Sequence, residues 1–158
     1  MKHLPGFLAF GFVAAFAACI DEPSAPKCSA TTLSQAAMIG DTVVLNTGLK
    51  YIETKGGAGE AAEWCDPVTV HYTAYLANGT RIESTHDLGI PLPFTPGLGD
   101  LIDGFEQGVI GLRAQGTRRV IIPPQLGYGA EAVRNNAGAI VIPANSTLIY
   151  DIEALSTQ

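Results

Sequence analysis

Residues 68–76, Val-Thr-Val-His-Tyr-Thr-Ala-Tyr-Leu, alternate as a half-buried β-strand does, with Val68, Val70, Tyr72 and Ala74 on one face. Asn78-Gly79 follows, the strongest short signal for a two-residue hairpin turn, and Thr80-Arg81-Ile82-Glu83-Ser84 returns. A chain committed to that hairpin needs more strands to complete a sheet. Gly48 to Thr54 alternates, with Leu49, Tyr51 and Ile52 contributing to a core, until Gly56-Gly57-Ala58-Gly59 breaks the pattern. Gly116 to Ile122 reads as another strand. Leu148 to Leu155 reads as a terminal strand with Leu148, Tyr150, Ile152 and Ala154 inward. One segment has a helical period: Leu101, Phe105 and Val109 recur every four residues with Ile102 alongside, and Asp100 can cap it. Gly104, Gly108 and Gly111 limit its length. One short helix against a mostly antiparallel sheet predicts an α+β domain.

Val120-Ile121-Ile122 should pair in a sheet, yet Pro123-Pro124 removes two ladder donors in succession. Gln125-Leu126-Gly127-Tyr128-Gly129 then suspends a tyrosine between two glycines. A strand cut short before such a loop is expected at the rim of a pocket.

The chain opens with Lys2 and His3, an apolar run, and Ala17-Ala18 before Cys19, the layout of a secretory signal. The run is too short for a comfortable transmembrane helix, which needs about 20 apolar residues. Phe16-Ala17-Ala18-Cys19 resembles the bacterial lipobox, whose cysteine is lipidated and becomes the new N-terminus, although Leu is preferred where Phe16 stands. The alternative is an ordinary signal cut near Ala18. The expected organisation is a signal peptide over 1–18, a lipidated N-terminus and Ala/Ser/Thr/Pro-rich tether over 19–46, and one folded domain over 47–158. Cys28 and Cys65 would then be the remaining cysteines. In an oxidising compartment they either pair or stay as two free thiols, since spacing alone cannot fix connectivity.

The net charge of −6 argues against nucleic acid as a partner, because a phosphate binder needs a basic face. Arg118-Arg119 is the only basic pair and reads as a solvated strand edge. No metalloprotease, nucleophile-elbow or P-loop pattern occurs, and Gly97-Leu98-Gly99 lacks the third glycine of a dinucleotide fingerprint because Ile102 stands there. His71 faces away from Tyr72 along its strand and reads as structural; His86 is the other histidine beyond the signal. Any catalysis should therefore need no nucleophile, no metal and no cofactor.

Four stretches carry a family likeness in order: Thr47-Gly48-Leu49-Lys50-Tyr51, VTVHYTAYLANGTRIEST (68–85), LIDGFEQGVIGLRAQGTRRVIIPPQLGYG (101–129) and VIPANSTLIYDIEAL (141–155). Together they resemble an FKBP-type peptidyl-prolyl cis-trans isomerase. The resemblance implies a twisted, half-open antiparallel sheet wrapped around one short helix. It implies an apolar pocket lined by Tyr72, Ile82, Glu83, Leu92, Phe94, Leu101, Ile102, Phe105, Tyr128, Ile142 and Tyr150. Phe105 forms the floor where many members have Trp. Tyr128 offers its hydroxyl to the substrate backbone, and the Ile102 backbone N–H binds a carbonyl. Of these, Tyr72, Glu83, Phe94, Ile102, Phe105 and Tyr128 are the implied catalytic set, and Ile82, Leu92, Leu101, Ile142 and Tyr150 the substrate-binding set. Ile82 and Leu92 replace aromatics, Glu83 replaces Asp, and Tyr150 replaces Phe and brings a hydroxyl that needs a partner. The loop from Ala130 to Val141 looks several residues longer than in the smallest members and should overhang the pocket.

The resemblance implies proline-containing polypeptides as substrates and macrolides as inhibitors, and the leader implies a site of action in the cell envelope, facing the periplasm or cell exterior. A module that keeps the pocket but only binds peptides, as a holdase would, is the alternative, motivated by the four substitutions.

Overall fold

The computed structural model describes residues 38–157; the expected signal, Cys19 and Cys28 lie outside them. The strands are β1 (Thr42–Val44), β2 (Lys50–Lys55), β3 (Ala58–Ala61), β4 (Val68–Leu76), β5 (Arg81–Ser84), β6 (Leu92–Phe94), β7 (Arg113–Ala114), β8 (Thr117–Ile122), β9 (Val133–Arg134), β10 (Ile140–Ile142) and β11 (Leu148–Thr157). Two helices accompany them, α1 (Thr85–Leu88) and α2 (Asp103–Val109), with a 3-10 turn at Pro124–Leu126. The main sheet has the order β1-β2-β8-β11-β4-β5, and β6 also pairs with β4. All of its pairings are antiparallel. This is the α+β arrangement expected, with α2 packed across the sheet and single-turn α1 as an addition.

The inward alternation holds along the central strands. Val70 and Ala74 of β4, Val120 and Ile122 of β8, and Leu148, Tyr150, Ile152 and Ala154 of β11 form the core with Phe105 and Val109 of α2. Leu49 and Tyr51 join them, whereas Ile52 is only half-buried. The helix glycines have a packing reason as well as a length effect. A Cβ on Gly108 would come within 2.8 Å of Val120 Cγ1, and one on Gly104 would press on Ile122. Glycine therefore lets α2 settle onto β8 at a distance any other residue would prevent.

Three expectations are corrected. First, β8 is an interior strand and Arg118 is no solvated edge: it is 2% exposed. Its guanidinium pairs with Glu53 at 2.6 Å and lies 4.1 Å from the Tyr51 ring centroid. Nη1 donates to the Gly108 and Ile110 carbonyls at 2.8 Å, satisfying acceptors left over at the C-terminal end of α2. Arg119 points to the other face and makes a two-pronged contact with Asp151 at 2.6 and 2.7 Å. Second, the cap of α2 is Ile102, with no side-chain cap bond, so Asp100 does not cap it. Third, Asn78-Gly79 belongs to a three-residue loop. Leu76 N donates to Thr80 O and Gly79 N donates to Leu76 O, with Gly79 at φ 87°. That is a turn followed by a left-handed glycine, the next commonest hairpin closure.

The segment expected as a long loop contains a hairpin. β9 and β10 pair, and the side chain of Asn135 accepts from the N–H groups of Ala137 and Ala139 at its tip. β3 and β7 form a second small ribbon. Cys65, at φ 71°, is disulfide-bonded and is the only cysteine among the described residues.

Candidate active site

The site begins at a divided strand edge. β6 pairs with Val68–Val70 of β4, and β5 pairs with Thr73–Tyr75. Neither strand reaches the peptide between His71 and Tyr72. The Thr85 hydroxyl fills that gap: it accepts from Tyr72 N at 2.9 Å and donates to Tyr72 O at 3.3 Å, and His71 Nδ1 lies 2.9 Å from it. Ser84 caps α1 by accepting from His86 N and also donates to Tyr72 O at 3.1 Å. His86 stacks on His71 at 4.4 Å between ring centroids. The outer face of β4 is thus held by hydroxyls and stacked imidazoles, and Tyr72 is fixed on the inner face.

Inside lies a cleft of about 340 Å³, lined by Tyr72, Glu83, Leu92, Asp100, Leu101, Ile102, Phe105, Tyr128 and Tyr150. Phe105 is its floor, 3% exposed. Its ring meets Tyr72 and Tyr150 edge-on at 5.4 and 5.1 Å and Phe94 at 5.5 Å, geometries aromatic pairs favour. The structure brings eight of the sequence-derived pocket residues to this lining and leaves three out. Phe94 supports Phe105, Ile142 is buried in the core, and Ile82 packs against the core. Asp100, read as a cap, lines the cleft instead.

Glu106 is the residue that sequence reasoning missed. It is fully buried, and its carboxylate accepts from the backbone N–H groups of Gly97 and Gly99 at 3.1 Å and of Leu101 at 3.4 Å. One acid on α2 thereby shapes the loop that delivers Asp100 and Leu101 to the cleft. The signal was available: a carboxylate immediately after Phe105, one turn beyond Ile102, in a helix too short to turn it to solvent.

The proline pair explains the placement of Tyr128. With the β8 ladder stopped, Leu126 N donates to Pro123 O, while Gly127 N and Gly129 N both donate to Pro124 O. Gly129, at φ 58°, donates through this bond and accepts from Asn145 N at 2.7 Å. The loop is pinned on both sides, and Tyr128 stands at the cleft mouth, 39% exposed.

The polar groups are phenols and two acids, of which Glu83 is engaged by Tyr72. Tyr72 Oη donates to Glu83 Oε1 at 2.8 Å. Burial first, then the bond to Glu83 and its charge, hold the Tyr72 phenol well above the ordinary tyrosine range. Burial likewise raises Tyr128, with Glu83 adding to it. Both phenols are therefore protonated at neutral pH. Such a cleft can grip an apolar ring and orient amide groups.

Residues 59–155 match the family model described as FKBP-type peptidyl-prolyl cis-trans isomerase. The chain is 38% identical over 117 residues to FK506-binding protein 2 of Dictyostelium discoideum, covering 70% of this chain and 78% of that one. It is 40% identical over 108 residues to the FK506-binding protein of Neisseria meningitidis serogroup B, covering 68% and 94%. Among solved structures AtFKBP13 superposes with a TM-score of 0.66 at 31% identity, over 75% of this chain and 99% of that one. The half-open sheet, the aromatic-floored cleft and these matches agree, and the chain belongs to the FKBP-type peptidyl-prolyl cis-trans isomerases.

Proposed function

We propose that this isomerase turns X–Pro bonds in the cleft above Phe105, with the prolyl ring held by Phe105, Leu101 and Ile102. Phe94 and Ile142 back that wall. An X–Pro bond prefers trans by only about 0.5–1 kcal/mol, yet it interconverts in tens to hundreds of seconds. The barrier, about 18–20 kcal/mol for amides, comes from C–N resonance. Acceleration requires that the twisted amide be bound more tightly than the planar one. The twisted carbonyl is less polar, so an apolar, water-poor cleft favours it over bulk water. Tyr128 and the Ile102 backbone N–H orient the peptide. Glu83, already occupied by the Tyr72 hydroxyl, positions rather than transfers protons. The observation that carries this reading is the aromatic floor of Phe105, Tyr72 and Tyr150 facing a pinned Tyr128. Leu92 in the wall favours an apolar residue before the proline, and macrolides of the FK506 kind would compete for the same space.

The test is isomerisation of a short X–Pro peptide without added metal or nucleotide. The wild-type chain accelerates it. Tyr128→Phe keeps the ring and deletes one hydrogen bond of about 1 kcal/mol net, so kcat/KM falls about five- to tenfold. A folded wild-type chain without acceleration overturns the mechanism.

The site of action follows from the leader. The apolar run before Cys19 supports export, and the lipobox-like Phe16-Ala17-Ala18-Cys19 supports a lipid anchor, with clients in the envelope or periplasm. The disulfide at Cys65 fits an oxidising compartment.

A further inference from the structure

The floor of the cleft carries a hydroxyl that no described group binds. Tyr150 is 5% exposed, with its ring set edge-on to Phe105 at 5.1 Å and 5.6 Å from the Tyr72 ring. Those contacts hold it in one place on β11. Tyr72 beside it spends its proton on Glu83, but Tyr150 Oη has no hydrogen-bond partner among the described residues. It is not sealed in protein either. Arg118 Nε is the only described side-chain polar atom both shut off from solvent and unpartnered, so the Tyr150 hydroxyl opens on the cleft that its residue lines. A phenylalanine would fill the same volume and leave no polar atom to satisfy. Burial, followed by the nearby Tyr128, Glu83 and Tyr72, raises the Tyr150 phenol above its ordinary range, so it is a neutral donor.

We propose that Tyr150 is a substrate-binding residue whose hydroxyl donates a hydrogen bond to a main-chain carbonyl oxygen of the bound peptide, outside the bond that rotates. The choice of carbonyl follows from the reaction. The rotating amide loses resonance and its oxygen loses negative charge on the way to the twisted state. A donor on that oxygen would hold the planar form and raise the barrier. A donor on a neighbouring peptide unit sees the same oxygen in both states and binds them equally, which lowers KM and leaves kcat unchanged. Tyr128 at the mouth and Tyr150 at the floor would then fix the peptide from two heights, selecting an extended backbone over a bare prolyl ring.

The proposal rests on the cleft being the peptide site, which wild-type turnover tests separately. In the full chain, Tyr150→Phe should raise KM for an X–Pro peptide about five- to tenfold, with kcat within about twofold. Its thermal stability should hold or improve, because no intramolecular bond is lost. Tyr75→Phe, the same deletion on the outward face of β4, should change neither constant. Peptide titration of tyrosine-labelled protein reads the contact without turnover: the Tyr150 Cζ resonance should shift on binding. An unchanged KM in Tyr150→Phe, or a Tyr150 resonance that stays put, overturns the proposal. A variant in which kcat rises together with KM also overturns it, by placing the hydroxyl on the rotating carbonyl. A wild-type chain with no turnover removes the cleft reading itself.

Discussion

Tyr72 and Tyr150 share one aromatic floor, and the fold keeps both phenols protonated beyond the usual tyrosine range. The stability consequence has a definite sign. In the unfolded chain both groups ionise near pH ~10. In the folded chain they keep their protons, so the folded state binds more protons above that pH and stability falls as pH rises. Stability from these groups is complete below pH ~10 and is lost on the alkaline side. In a pH titration followed by tyrosinate absorbance, Tyr72 and Tyr150 should ionise only as the fold gives way. Ionisation of Tyr72 and Tyr150 near pH ~10, with the fold intact, would contradict this. At the same scale lies the clearest misreading. Arg118 shares its parity along β8 with Val120 and Ile122, so its side chain had to enter the core. Composition suggested a surface pair, and period should have outweighed it. What the period could not supply was the partner: Glu53 is distant in sequence and meets Arg118 only across the β2–β8 ladder.

Among the elements, α2 shows how a helix of two turns can govern a site. Phe105 gives the floor, and the next residue, Glu106, organises the loop before the helix. Glu106→Ala should cost about 3 kcal/mol or more, because hydrogen bonds to a charged group are worth about 1.5–3 kcal/mol each and three donors lose their acceptor. Glu106→Gln, which keeps one carbonyl oxygen, should fall between. Denaturant unfolding measures both, and an alanine variant within error of wild type would show that the loop orders itself. The central strands β2, β4, β8 and β11 were legible because each buries one alternating face. The ribbon strands β3, β7, β9 and β10 were not. They run two to four residues, and β3 is mostly exposed. Such strands leave no period, and only the ladder itself reveals them. The cleft residues were legible through family likeness and order. Their division into lining and support was not, because whether Phe94, Ile82 or Ile142 faces open space depends on packing depth.

For the molecule as a whole, the leader and the cysteines make one joint prediction. If Cys19 is lipidated, Cys28 is the remaining cysteine of this sequence for Cys65 to pair with. Mass spectrometry of unreduced, digested protein should find a peptide joining Cys28 to Cys65, and two alkylatable thiols would exclude it. Membrane fractionation should recover the wild type with the envelope, while Cys19→Ala should be released or stall in processing. A soluble wild type with an unmodified N-terminus would remove the anchor.

The divided edge of β4 has a bearing on aggregation. A protein that handles unfolded chains meets extended segments whose own strands are unpaired. A long, straight sheet edge would capture such segments and template further pairing. Among the described residues this sheet offers none: at one end β1 is three residues, and at the other β4 is shared between β5 and β6 with a hydroxyl-filled gap between them. An incoming strand finds at most four residues of edge before the register is interrupted. The interruption beside Tyr72 thus leaves an extended segment no continuous edge of β4 on which to pair.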